Sequence, residues 1–280
     1  MRVVIIGAGI GGLATAAALR RVGIPSLVLE QAAAITEVGA GLSIWPNAVH
    51  ALEELGLREP VMAAASVIER NLLRTAGGRT IGQTELAGLS KIAGAPCICL
   101  HRVVLQKILL DALPSDWVRT GARCSRVDGA TAILESGERI EADVLIGADG
   151  ISSIVREALH GAEEPRYAGY TGWRGICADN GLLPERSPML VVGAGSQFGA
   201  WPCGDGQFYW FLTKNVPPRT RQTKADALAL CRNWAAPVPQ IIAATLESAI
   251  LRNDILDRPP LKAWGRGSVT LLGDAAHATT

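Results

Sequence analysis

Four β-branched apolar residues, Val3-Val4-Ile5-Ile6, open the chain and predict a short buried strand over residues 2–6. From Ile10 to Val22 the pattern changes. Alanines dominate, β-branched residues are few, and Gly23 and Pro25 follow, which predicts a helix. Ser26-Leu27-Val28-Leu29-Glu30 reads as a second apolar strand that ends on an acid. Pro46 to Leu55 predicts a helix with Pro46 in its first turn and Gly56 past its end. His101 to Leu113 predicts another, with Leu105, Leu109 and Leu113 one turn apart. Short strands over 122–127, 131–135 and 138–146, divided by Asp128-Gly129 and Ser136-Gly137, read as a meander that returns to a parallel sheet.

After about residue 165 the strand-like runs carry most of the aromatics, including Tyr170, Trp173, Phe198, Trp201 and Phe208-Tyr209-Trp210-Phe211. Gly204-Asp205-Gly206, between two of these runs, predicts a hairpin turn. Residues 166–261 therefore read as a mostly antiparallel sheet with one or two covering helices, Lys224–Trp234 among them, and 76–95 join the same lobe. Strand alternation puts Tyr209 and Phe211 on one face and Phe208 and Trp210 on the other, so half of these rings are core. Gly267 to Leu272 reads as a returning apolar strand.

At 280 residues the chain can bury a large core, as one big domain or two interleaved ones. A net charge of +1 gives no electrostatic reason to expect nucleic acid or an anionic membrane as partner. No apolar run is long enough to predict a membrane span. Glycines interrupt the N-terminal apolar stretch, and Arg20 and Arg21 follow it, which argues against a secretory signal. The six cysteines are scattered, and only Cys97 and Cys99 are close, with no second pair or histidine pair nearby. That pattern predicts no metal and reduced thiols in the cytoplasm. His50, His101 and His160 belong to no constellation.

Three clusters carry the chemistry. They are Gly7-Ala8-Gly9-Ile10-Gly11-Gly12, then Gly147-Ala148-Asp149-Gly150 after an apolar run, then Gly273-Asp274-Ala275-Ala276-His277 after another. In the first, Gly7 permits a tight strand-to-helix turn, Gly9 lets the backbone approach a pyrophosphate, and Gly12 lets helix and strand pack closely. The helix from Ile10 presents unpaired N–H groups and a positive dipole end. Glu30 then stands where a carboxylate accepts from ribose hydroxyls. An acid here disfavours a 2′-phosphate, so this cluster suits FAD or NAD rather than NADP, without choosing between the two.

With Gly39-Ala40-Gly41 running into Trp45-Pro46-Asn47, and with His101-Arg102, the clusters follow one another as in the class A flavoprotein monooxygenases. The chain resembles that family, which includes salicylate, 4-hydroxybenzoate and urate hydroxylases and zeaxanthin epoxidase. The resemblance implies an α/β fold: a glutathione-reductase-like, FAD-binding Rossmann domain with an interleaved, mostly antiparallel β substrate domain. The first would span 1–75, 96–165 and 262–280, and the second 76–95 and 166–261. FAD would meet Gly7, Gly9, Ile10, Gly11, Gly12, Glu30, Gly41, Arg102, Asp149, Gly150, Gly273 and Asp274. Of these, Arg102 would touch phosphate or ribityl oxygens, Asp149 would lie near the pyrophosphate, and Asp274 would bond a ribityl hydroxyl.

The same resemblance places substrate against Tyr209, whose phenol offers a polar handle, and less directly against Trp201 and Arg174. It implies NADH or NADPH as transient co-substrate, a C4a-hydroperoxyflavin, and transfer of one oxygen atom from O2 to a small aromatic or otherwise unsaturated molecule. No catalytic side chain is assigned, and His277 reads as packing beside the flavin. The arginine expected in urate hydroxylases near Gln197-Phe198 is absent. Because the family continues beyond the Gly-Asp motif, the chain is expected to be truncated at its C-terminus. Two other readings are a truncated, non-catalytic relative and an NAD-dependent dehydrogenase, which would leave the second and third clusters idle.

Overall fold

The computed structural model describes residues 1–35, 40–183 and 188–280. The chain divides into two compact units. One is made of Met1–Glu37, Gln106–Ala168 and Leu256–Thr280, and the other of Val38–Leu105 and Gly169–Ile255. Compactness thus groups 38–75 and 96–105 with the second unit, and 166–168 and 256–261 with the first.

The first unit is built on a six-stranded sheet. Val3–Ile6, buried along its whole length, lies inside it because all four side chains are apolar and β-branched. It pairs in parallel with Ser26–Leu29 on one side and Val144–Gly147 on the other. Val269–Leu271 pairs in parallel with Val144–Gly147, and Val118–Arg119 with Ser26–Leu29. Gly265–Arg266 closes one edge in the antiparallel sense. Helix Ile10–Arg21 buries Gly12, Leu13, Ala16 and Ala17, a stripe of mostly small side chains that lets it lie close to the sheet. Arg20 and Arg21 complement the dipole at its last turn.

The meander of this unit differs from expectation in one place. The run 138–146 is two strands: Arg139–Glu141 pairs antiparallel with Thr131–Leu134, while Val144–Gly147 enters the parallel sheet. The break comes at Asp143, whose carboxylate accepts from the Arg2 N–H at 2.6 Å while its own N–H donates to the Arg2 carbonyl. That exchange fastens the chain to the start of the central strand.

The second unit holds a seven-stranded sheet in the order Ile250–Asp257, Arg166–Ala178, Gln207–Asn215, Ser196–Pro202, Met189–Gly193, Arg70–Thr75, Thr80–Glu85. It is mostly antiparallel, with one parallel junction between Met189–Gly193 and Arg70–Thr75. One face is core: Trp173, Phe198, Phe208, Trp210 and Leu212 pack with Ala227, Ile241 and Ile242 of the covering helices Lys224–Leu230 and Val238–Ala244. The first of these starts at a capping box between Thr223 and Asp226. It stops short of the expected Trp234, which instead packs half-buried against the core. The predicted hairpin is present, with Asp205 and Gly206 both at positive φ, as a tight two-residue turn requires.

A small sheet of Gly41–Ile44, Ile98–His101 and Ser66–Val67 completes the second unit. His101 ends a strand here, so the helix expected from His101 to Leu113 runs over Arg102–Asp111. Among the described residues no helix is long and apolar enough to cross a membrane, and no three His, Cys, Asp or Glu side chains gather as metal ligands.

Candidate functional site

In a parallel sheet every strand presents its C-terminal end on the same edge. The three clusters follow the C-terminal ends of three successive strands: Val3–Ile6, Val144–Gly147 and Val269–Leu271. Segments far apart in sequence are therefore neighbours. The Leu272 N–H donates to the Gly147 carbonyl at 2.9 Å, and the Ala148 N–H donates to Ile6 at 2.8 Å. A side chain on Gly11 would touch Leu272 at 3.6 Å, which sets the third turn beside the first helix.

The glycines divide by what surrounds them. Gly7 has φ +105°, and a Cβ there would fall 2.5 Å from the Ala148 carbonyl oxygen. A Cβ on Gly12 would fall 2.0 Å from the Gly7 oxygen. Both positions are closed to any side chain by the fold itself. Gly9 is different: a Cβ there meets nothing within 4 Å, because it faces a cleft. Gly9 is also the N-cap of helix Ile10–Arg21, and no side chain caps that end. The first N–H groups of the helix thus lack a side-chain acceptor.

The cleft has a volume of about 510 Å³, and Gly7, Gly9, Glu30, Asp149 and Gly150 all line it. Glu30 accepts the Ala8 N–H at 2.9 Å through one oxygen and the Ala32 N–H at 2.8 Å through the other. Each oxygen keeps a lone pair for a further donor. Asp149 uses Oδ2 to accept from the N–H groups of Ile154 and Val155, at 2.9 and 3.3 Å. Its Oδ1 is buried with no partner. Burial pushes this carboxyl above its ordinary value, against the opposing pull of its hydrogen bonds.

Gln106 is a part of the site that no sequence motif announced. Its Nε2 donates to the Ala8 carbonyl at 2.7 Å, so the Ala8 peptide is held on one side by Glu30 and on the other by Gln106. The one available signal is its place one turn beyond Arg102 on a predicted helix. Arg123, Gln31 and Ser152 also line the cleft and went unnoticed for the same reason.

The remaining expected residues fall into two groups. Ile10, Gly11 and Gly12 form the first turn of the helix, while Gly273 at φ +60° leads into the exposed Asp274. His277 lies against Trp264, their ring centroids 5.0 Å apart. The others belong to the second unit. Gly41 pairs with His101, the Arg102 N–H donates to the Ala40 carbonyl, and a Cβ on Gly41 would fall 2.2 Å from that of Tyr209. Gly39 lies outside the described residues.

Tyr209, Trp201 and Phe211 form one aromatic array, with Trp201 6.5 Å from Tyr209 and 5.6 Å from Phe211 between ring centroids. This is the sheet face opposite that helix-covered core, as the alternation predicts, and Trp201 and Tyr209 there pack against a second buried cluster that includes Ile68, Leu86 and Cys99. Burial raises the Tyr209 phenol, while the nearby Arg174 charge opposes that rise.

The arrangement fits a phosphate-bearing dinucleotide, and comparison with known proteins identifies which. The sequence profile of the family described as FAD binding domain matches residues 1–280. Aurachin C monooxygenase/isomerase of Stigmatella aurantiaca is 38% identical over 287 residues, covering all of this chain and 75% of the relative. FAD-dependent urate hydroxylase of Klebsiella pneumoniae is 35% identical over 291 residues, covering all of this chain and 76% of the relative. The crystal structure of Klebsiella pneumoniae HpxO complexed with FAD and uric acid superposes with a TM-score of 0.92 at 34% identity, over all of this chain and 74% of that one. The three clusters, the cleft that the first two line and these matches agree: the chain belongs to the FAD-binding-domain family of class A FAD-dependent monooxygenases.

Proposed function

We infer that the cleft of the first unit holds FAD, with its pyrophosphate against the N-terminus of helix Ile10–Arg21. One observation carries this reading. Three turns at the C-terminal ends of three adjacent parallel strands meet beside a cleft lined by a carboxylate with an unpaired, buried oxygen. The residues present fit the group. Gly7, Gly9, Ile10, Gly11 and Gly12 offer backbone donors and clearance, and Glu30 has lone pairs left for ribose hydroxyls. Asp149 Oδ1, beside Gly150, is an acceptor waiting for a donor that the chain itself does not supply. The family pattern adds Gly273 and Asp274 to the ribityl chain, and Gly41 and Arg102 to the same cofactor.

FAD, when bound, supplies the redox chemistry. Overall, substrate, O2, NADH or NADPH and a proton give the oxygenated product, NAD(P)⁺ and water. This chain's own residues bind and orient. The Arg174 charge lies near the Tyr209 phenol on an otherwise apolar aromatic face. Such a face suits an aromatic or otherwise unsaturated substrate with one hydroxyl or carbonyl group for Tyr209 or Arg174. Urate is the substrate named for the Klebsiella relative. Here no arginine stands near Gln197-Phe198, where such an enzyme is expected to place one, which favours a less polar molecule. On this reading the cleft of the first unit serves the pyrophosphate and adenosine ribose of the flavin, and the aromatic sheet serves the substrate. Six free, buried cysteines support a reducing compartment, the cytoplasm.

The visible absorption spectrum of the purified chain tests the reading, with the released cofactor identified by mass. The expected result is bound FAD, then oxidation of NADH or NADPH stimulated by a member of a panel of phenols, urate and isoprenoids. A folded, colourless chain that FAD cannot reconstitute overturns it.

A further inference from the structure

A second cavity lies in the second unit, with a volume of about 270 Å³. Its walls are mainly apolar: Ile44, Trp45, Ile68, Leu86, Ile98 and Trp201. Ile44, Ile68, Leu86 and Ile98 are buried, whereas Trp45 is 53% exposed and marks the open side. One polar feature stands out. Asn71 lines the cavity, and its Oδ1 is buried with no hydrogen-bond partner. A buried amide oxygen without a donor is costly, and most such groups in native proteins are paired.

Trp201 belongs both to this cavity and to the aromatic array of Tyr209 and Phe211. Strand Gly41–Ile44 makes the same link: Gly41 packs against Tyr209, while Ser43 and Ile44 line the cavity. The cavity therefore continues the aromatic face and is not an isolated void. It is too small for a whole multi-ring ligand by the usual size of such sites.

Resting on the substrate face proposed above, we propose that this cavity is a subsite for an apolar arm of the substrate. The substrate class is then an unsaturated or aromatic head carrying a flexible hydrocarbon arm. The head lies on the Tyr209–Arg174 face and the arm passes Trp201. Asn71 Oδ1 accepts from a hydroxyl or N–H group borne on that arm, and a purely hydrocarbon arm leaves it unsatisfied.

The test uses the full chain loaded with FAD and a series from phenol to 4-pentylphenol, with dissociation constants read by calorimetry. Burying each added methylene is expected to tighten binding by about fourfold until the cavity is full. Thr84 lines the cavity yet is exposed on an edge strand, so T84W fills the space without touching the core. T84W is expected to flatten the series, with retained FAD absorption reporting that the variant is folded. N71L is expected to tighten the hydrocarbon arms and to remove any preference for a matched phenol whose arm ends in a hydroxyl. A flat series in the unaltered chain, or an unchanged slope in folded T84W, overturns the subsite. Because the readout is binding and not turnover, absence of FAD in the same sample overturns the flavin reading separately.

Discussion

At Asp149 folding and function pull in opposite directions. Burial raises its carboxyl above the ordinary value, so whatever stability the group contributes is complete below that value and is lost as pH rises through the raised one. The cofactor-free chain therefore carries a desolvated carboxyl group with one unpaired oxygen. Asp149→Asn keeps an acceptor for the N–H groups of Ile154 and Val155 and removes the charge. The expected outcome is a cofactor-free Tm that is unchanged or higher, with FAD binding weakened by about ten- to hundredfold, the size of one lost charge-assisted hydrogen bond. Thermal melts with and without FAD check both halves.

The glycines of the first cluster separate in the same way. Gly12→Ala collides with backbone at 2.0 Å and is expected to lower the Tm steeply. Gly9→Ala meets nothing, so it is expected to fold normally and lose FAD, because its methyl enters the cleft. Equal melting of both variants would refute that separation. Motif spacing made these glycines, Glu30 and Asp149 legible from sequence. Gln106 was not legible, since a lone glutamine has no pattern until the fold brings it to Ala8, 98 residues away.

At the scale of elements, the aromatic sheet shows how far strand alternation reaches. Phe208 and Trp210 are fully buried in the core, while Tyr209 and Phe211 face the other way. Trp210→Ala is expected to cost about 3–5 kcal/mol, because it vacates a packed core and leaves Thr245 without its indole donor. Phe211→Ala is expected to cost far less stability and to change substrate affinity instead. Denaturant melts set against NAD(P)H oxidation distinguish the two. Element boundaries were less legible than element types. Nothing in the pattern of 138–146 shows that Asp143 is fastened to Arg2, because that contact spans 141 residues. Likewise Arg70–Thr75 finds its parallel partner, Met189–Gly193, more than a hundred residues downstream.

For the whole molecule, the thiols set an alkaline limit. All six cysteines are buried, and desolvation pushes Cys99, Cys203 and Cys231 up to about 12. A thiol raised in the folded state contributes stability that is complete below its unfolded value near 9 and is lost as pH rises toward 12. Stability is therefore expected to fall progressively above pH 9, and the native thiols to resist a disulfide reagent that titrates all six after unfolding. Equilibrium melts across that pH range, with thiol counts at each end, check this. Saturating FAD is expected to raise stability by about 2.7 kcal/mol at a hundredfold excess over its Kd.

The first unit is assembled from three stretches of chain, and its sheet sets Val144–Gly147 between Val3–Ile6 and Val269–Leu271. On the ribosome the first strand pairs early with Ser26–Leu29 but waits for Val144–Gly147 on its other edge. That edge needs cover while residues 38–105 are translated, and the outer edge of Val144–Gly147 needs it while 169–255 follow. The turn that follows the third strand is added only once residue 274 has left the exit tunnel, well after the first two turns have been made. Nascent-chain yield is then expected to depend on chaperone supply more than on how much flavin the cell holds.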